Sequence, residues 1–102
     1  MHLKLNITNK DITLGEKANP ANCAIARAIK RNRTVKTSCV SVFHDMCIIH
    51  AKKQGKIMSY SAPLPKVASD FIHRFDHSKA VSPVSFCIDL HKSRQTDLYS
   101  VK

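Results

Sequence analysis

Cys39-Val40-Ser41-Val42-Phe43-His44-Asp45-Met46-Cys47-Ile48-Ile49-His50 decides the fold class of this chain. Its first half alternates valine with small residues, and its second half is a short apolar run. Such residues suit a pleated, half-buried surface better than a helix. His44-Asp45 between them is short enough for a hairpin. Thr34-Val35-Lys36-Thr37 upstream and Ile57-Met58-Ser59-Tyr60 downstream repeat the signal. Between the last two runs, Ala51-Lys52-Lys53-Gln54-Gly55-Lys56 reads as a basic, exposed turn. Residues 34–60 are therefore expected to form three or four antiparallel strands.

Helical periodicity flanks this β region on both sides. Leu64-Pro65 opens a helix of about Pro65 to Asp76. Leu64, Val67, Ala68, Phe71, Ile72 and Phe75 fall on one face, and Lys66, Ser69, Asp70, His73 and Arg74 on the other. Upstream, Asn19-Pro20 reads as a cap followed by proline at the first helical position. The helix it predicts, Pro20 to about Asn32, is rich in alanine, with Ile25 and Ile29 on its apolar stripe. Two outer segments alternate with the period of a strand. Leu3, Leu5 and Ile7 share one face, and so do Val84, Phe86, Ile88 and Leu90. Asn9 is a candidate cap for a short turn over residues 10–14, with Gly15 ending it in a left-handed conformation.

The resulting order is β-α-β-β-(β)-α-β. It predicts an α+β fold, a small two-layer sandwich with an antiparallel sheet and two helices on one face. Residues 1–91 read as one domain and 92–102 as a polar C-terminal tail, expected to be mobile. With 102 residues the chain has room for one core. Its 43% hydrophobic and 24% charged residues exclude global disorder and a coiled-coil rod. No run approaches the roughly 18–20 apolar residues of a membrane span. The start lacks the apolar core and cleavage site of a secretory signal, so a cytoplasmic location is expected.

Charge is the unusual figure. Seventeen Lys and Arg face 7 acids, a formal net of +10. Such an excess repels itself but attracts polyanions over about a Debye length. Nucleic acid, an anionic membrane and an acidic protein surface are the partners it suits, of which nucleic acid and a protein or ribonucleoprotein are expected and a membrane is not. Two basic groups stand out: Arg27, Lys30, Arg31, Arg33 and Lys36 across the end of the first helix, and Lys52, Lys53 and Lys56 in the basic turn. Cations at a helix C-terminus also suit its dipole, so the first group has a structural rationale as well. Groups of this kind displace counterions from phosphates. Stacking aromatics are sparse, with Phe71, Phe75 and Phe86 expected in the core and Tyr60 and Tyr99 left as the freest. No helix-turn-helix pair is present, which excludes that mode of sequence reading.

Catalytic and metal-binding patterns are poorly supplied. His73 and His77 are four apart, but no Glu follows His73, so the zinc-helix pattern is incomplete. His44, Cys47 and His50 step by three, which alternates faces on a strand. With two glycines there is no G-x-S-x-G and no phosphate-cradling loop. Cys23, Cys39, Cys47 and Cys87 form no C-x-x-C pair and read as buried free thiols. The sequence thus points to binding without catalysis, metal or cofactor. The alternative reading is direct, largely sequence-independent nucleic-acid binding, and a remote one is a small nuclease or hydrolase using His73 or His77.

Asp11-Ile12-x-x-Gly15 followed by Asn19-Pro20-x-x-Cys23-x-Ile25-Ala26-x-Ala28-Ile29-x-Arg31 resembles a pattern in small uncharacterised proteins of bacteriophages and prophages. The segment from Leu64-Pro65 through Phe71-Ile72-x-x-Phe75-Asp76 to Val81-x-Pro83-x-Ser85-Phe86 extends the resemblance over most of residues 11–90. The matching residues are packing and capping types and carry over no catalytic residue. The resemblance implies a mobile-element accessory protein that engages a host protein or ribonucleoprotein complex handling nucleic acid. Anti-CRISPR proteins, similar in size although mostly acidic, are its leading example.

Overall fold

The structure, a computed structural model, describes residues 2–32, 37–53 and 55–92. Its elements run β1 (His2–Ile7), α1 (Asn9–Leu14), α2 (Ala24–Arg31), β2 (Thr37–Val42), β3 (Met46–Lys53), β4 (Lys56–Pro63), α3 (Lys66–Asp76), β5 (Val84–Asp89) and β6 (His91–Lys92). This is the expected α+β class, with all strand pairs antiparallel.

The sheet departs from expectation in one respect. Instead of one continuous ladder there are two, β1-β5 and β2-β3-β4-β6. One stretch of chain serves both. Residues 84–89 pair with β1, Leu90 is buried at the bend, and His91 and Lys92 then pair with Ser61 and Tyr60 of β4. Lys92 therefore belongs to a strand and not to the tail; residues 93–102 lie outside the described residues.

Alternation places the core as predicted. Leu3, Leu5 and Ile7 of β1, Phe86 and Ile88 of β5, Val40 and Val42 of β2, and Cys47, Ile49 and Ala51 of β3 are buried in one cluster. Fully burying a side chain of Leu, Ile or Val size stabilises by about 1.5–3 kcal/mol. From α3 the cluster takes Ala68, Phe71, Ile72 and Phe75. Val67, assigned by periodicity to the same face, is 45% exposed. It sits at the margin of the buried arc, since Ala68 in the same turn is fully buried.

α2 is the central strut. It touches both β1 and β2, the strands at the far ends of the two ladders. Ala24, Ile25, Ala26, Ala28 and Ile29 are buried, because small residues let the backbone approach both. Polar groups at its ends complete the outer strands. Arg31 Nη2 donates to Asn6 O at 2.9 Å, Asn32 Nδ2 to Lys4 O at 3.3 Å, and Val42 N to Pro20 O at 2.9 Å. Outward carbonyls of a strand are otherwise a template for unwanted pairing.

Helix starts differ from the sequence reading. Thr8, not Asn9, caps α1, in a capping box with Asp11. Gly15 ends α1 in an extended conformation, φ −68° and ψ 148°, not a left-handed one. It is needed for space: a Cβ there would lie 2.7 Å from Ala24 N and from Asp11 O. α2 begins at Ala24, with the Cys23 thiol as its cap. Asn19 instead organises the preceding turn, its Oδ1 accepting from Ala21 N and Asn22 N. Two further expectations are corrected. Cys39 and Cys87 are exposed; Cys23 and Cys47 are buried. Tyr60 is half-buried at the core's margin rather than free.

Candidate functional site

The two basic groups meet different fates. In the first, Arg31 turns inward. Its Nη1 and Nη2 grip Asp11 Oδ1 and Oδ2 at 2.5 and 2.7 Å, a bidentate pair. Arg27 Nε lies 3.6 Å from Asp11 Oδ1 and, among the described residues, has no hydrogen-bond partner. Asp11 is fully buried, where a lone carboxylate is strongly disfavoured. Burial pushes its carboxyl up, but the Arg31 guanidinium and the Thr8 backbone N–H and hydroxyl outweigh this and hold it below the usual carboxylate range. Lys30 Nζ donates to Asn22 Oδ1 at 3.0 Å. Arg27, Lys30 and Arg31 are thus engaged within the molecule, and Arg33 and Lys36 lie outside the described residues. No sequence signal reveals this, because the burial of Asp11 and its contact with Arg31, 20 residues on, are set by the tertiary fold.

The second group sits on a projecting ladder. Lys52 and Lys53 belong to β3 and Lys56 to β4, so most of the exposed turn expected over residues 51–56 is strand, with Ala51 buried; Gln54 lies outside the described residues. Gly55 adopts φ +77°, the left-handed region that glycine enters without strain. Up to Ala51 the ladder alternates buried and half-buried. Beyond it Lys52, Gly55, Lys56 and Ile57 are all exposed, Ile57 to 58%. The register sets Lys53 opposite Lys56 and Lys52 opposite Ile57.

This ladder continues a sheet of one sign. Across β2, β3, β4 and β6, as described, there is no Asp or Glu, while Lys52, Lys53, Lys56, Lys92, His50 and His91 are present. Lys92, placed in the tail by pattern alone, joins the group through its pairing with Tyr60, and His91 through Ser61. Sequence reasoning missed these two because the strand is two residues long, too short for periodicity to register.

Asp89 and Asp76, elsewhere in the fold, have partners within the molecule. Asp89 pairs across the ladder with His2, whose imidazole holds its carboxyl below the ordinary range. Asp76 Oδ1 accepts from Ala18 N at 2.9 Å. That contact borders a cleft of about 310 Å³ between the start of α2, the end of β2 and the end of α3, lined by Cys23, Ile25, Phe43, His44, Phe75 and Asp76. Burial raises the Cys23 thiol, leaving it the neutral form at physiological pH. The rings of His73 and His77 lie tilted by 38° with centroids 4.4 Å apart at the end of α3, where His77 Nδ1 donates to His73 O at 2.8 Å. His44, Cys47 and His50 do not converge, Cys47 being buried on the core face. Among the described residues no group of three or more His, Cys, Asp or Glu is placed to hold a metal ion, and no helix is long and apolar enough to cross a membrane.

Compared with protein-family models, with curated proteins and with solved structures, the chain matches none.

Proposed function

We propose that the protein works by binding a polyanion, nucleic acid either bare or presented within a larger complex, through its cationic four-stranded sheet. The observation that carries this reading is the sign of that sheet: four lysines and two histidines on strands with no carboxylate. The formal net charge of +10 leaves this surface uncompensated by the molecule as a whole. Lysines on a rigid ladder release counterions from phosphates without reading bases, so the binding is largely independent of sequence.

Fluorescence anisotropy with labelled nucleic acid across a salt series tests it. The expected dissociation constant at physiological salt is about 10⁻⁴–10⁻⁶ M, weakening steeply as salt rises. Absence of binding at low salt, or an affinity indifferent to salt, overturns it. The narrower version is an accessory protein of a mobile element that docks on a host nucleic-acid-handling complex, with CRISPR inhibition as the leading case. It predicts capture of that complex from host lysate. Capture that survives nuclease digestion, together with no affinity for bare nucleic acid, moves the target to protein.

A further inference from the structure

We infer that the hairpin formed by β3 and β4 is an arm that enters the major groove of B-form duplex DNA. This rests on the polyanion reading above and adds which polyanion is taken and how.

Shape comes first. Beyond the pair Ala51↔Met58 the ladder leaves the core, since residues of both alternations are exposed. What projects is a two-stranded ribbon, its strands about 4.7–4.9 Å apart. From Lys52 to the turn it extends roughly 7–10 Å at the usual rise of about 3.4 Å per residue. A B-DNA major groove, about 12 Å wide and 8.5 Å deep, admits a two-stranded ribbon of that size. The major groove of A-form RNA is too deep and narrow to do so. Nothing beyond its immediate chain neighbours lies within 4 Å of where a Cβ on Gly55 would stand.

Charge and chemistry agree with the shape. Lys53 and Lys56 are directly opposite in register. Lys52 and Lys56 are both exposed at the same end of the ladder. Ile57, 58% exposed and opposite Lys52, gives the arm an apolar group of the kind that contacts a thymine methyl. Single strands are held chiefly by aromatic stacking, and the only aromatic residue of the two strands, Tyr60, is half-buried below the arm.

The test is anisotropy with one sequence in three forms: DNA duplex, RNA duplex and DNA single strand, each over 50–200 mM salt. Wild-type protein is compared with Lys52→Ala, Lys56→Ala and a Lys52→Ala/Lys53→Ala/Lys56→Ala triple variant, with circular dichroism confirming that each is folded. The DNA duplex is expected to bind tightest. Each single variant should reduce the log–log salt slope by about 0.9, so that the fall in affinity over this range shrinks about threefold; the triple should reduce the slope by about 2.7. Bound protein should also shield guanine N7, a major-groove atom, from methylation. Equal binding to all three forms overturns the groove inference and leaves the polyanion reading standing. So does duplex binding whose slope the triple variant leaves unchanged, or duplex binding without N7 protection. No binding of any form at 50 mM salt removes both.

Discussion

Asp11 is the residue on which the N-terminal half turns. It caps α1 through Thr8, and it receives Arg31 in bidentate contact and Arg27 at longer range. Removing one partner of a buried pair leaves an uncompensated charge, which costs about 3–5 kcal/mol. Arg31→Ala should fall near the lower end, about 3 kcal/mol by urea denaturation at pH 7, because the Arg31 side chain is 48% exposed and water can partly replace it. The pH dependence follows from the lowered carboxyl. An unfolded Asp titrates near 3.9. The stabilisation is therefore complete above about pH 4 and is lost as pH falls through the lower folded value. Asp11→Asn should abolish that acid-dependent part of the unfolding curve. A variant as acid-sensitive as wild type would show that Asp11 is not the group responsible.

At the scale of elements, close approach sets α1 against α2. Gly15 has an ordinary φ, so its backbone would accept any residue; the neighbouring backbone would not. Gly15→Ala drives a methyl group to 2.7 Å from Ala24 N and Asp11 O. Neither is the end of a flexible side chain, so the helices must part. The expected loss is about 1–3 kcal/mol, the usual range for overpacking, read as a lowered denaturation midpoint with an unchanged m-value. A neutral result would mean that the α1–α2 junction gives way without consequence. α3 teaches the complementary lesson. Its periodicity found Phe71, Ile72 and Phe75, yet could not separate them from Val67, because how wide an arc of the helix is covered depends on what packs against it.

For the whole molecule the decisive quantity is the unbalanced charge. Self-repulsion among 17 Lys and Arg destabilises the compact state, and salt screens it. Raising sodium chloride should therefore raise the thermal midpoint while weakening nucleic-acid binding, two opposite trends from one cause. A midpoint that falls with salt would mean that internal pairs such as Asp11–Arg31 outweigh the repulsion.

The sequence by itself determined the five longer strands, the two longer helices, most of the buried face of each and the sign of the net charge. Those depend on periods of 2 and 3.6 residues and on counting, both of which are local. It identified the lysines of the basic turn because three cations within five residues stand out on any reading. Only the tertiary structure decided which cations meet a carboxylate. Asp11 and Arg31 are 20 residues apart, and nothing in either segment encodes that they touch. The same holds for Leu90, where one strand passes from β1's ladder to β4's and brings His91 and Lys92 onto the cationic sheet. Pairing across such distances is fixed by how the core closes, and that closure set Arg27 and Arg31 on the buried Asp11 and left Lys52 and Lys56 exposed.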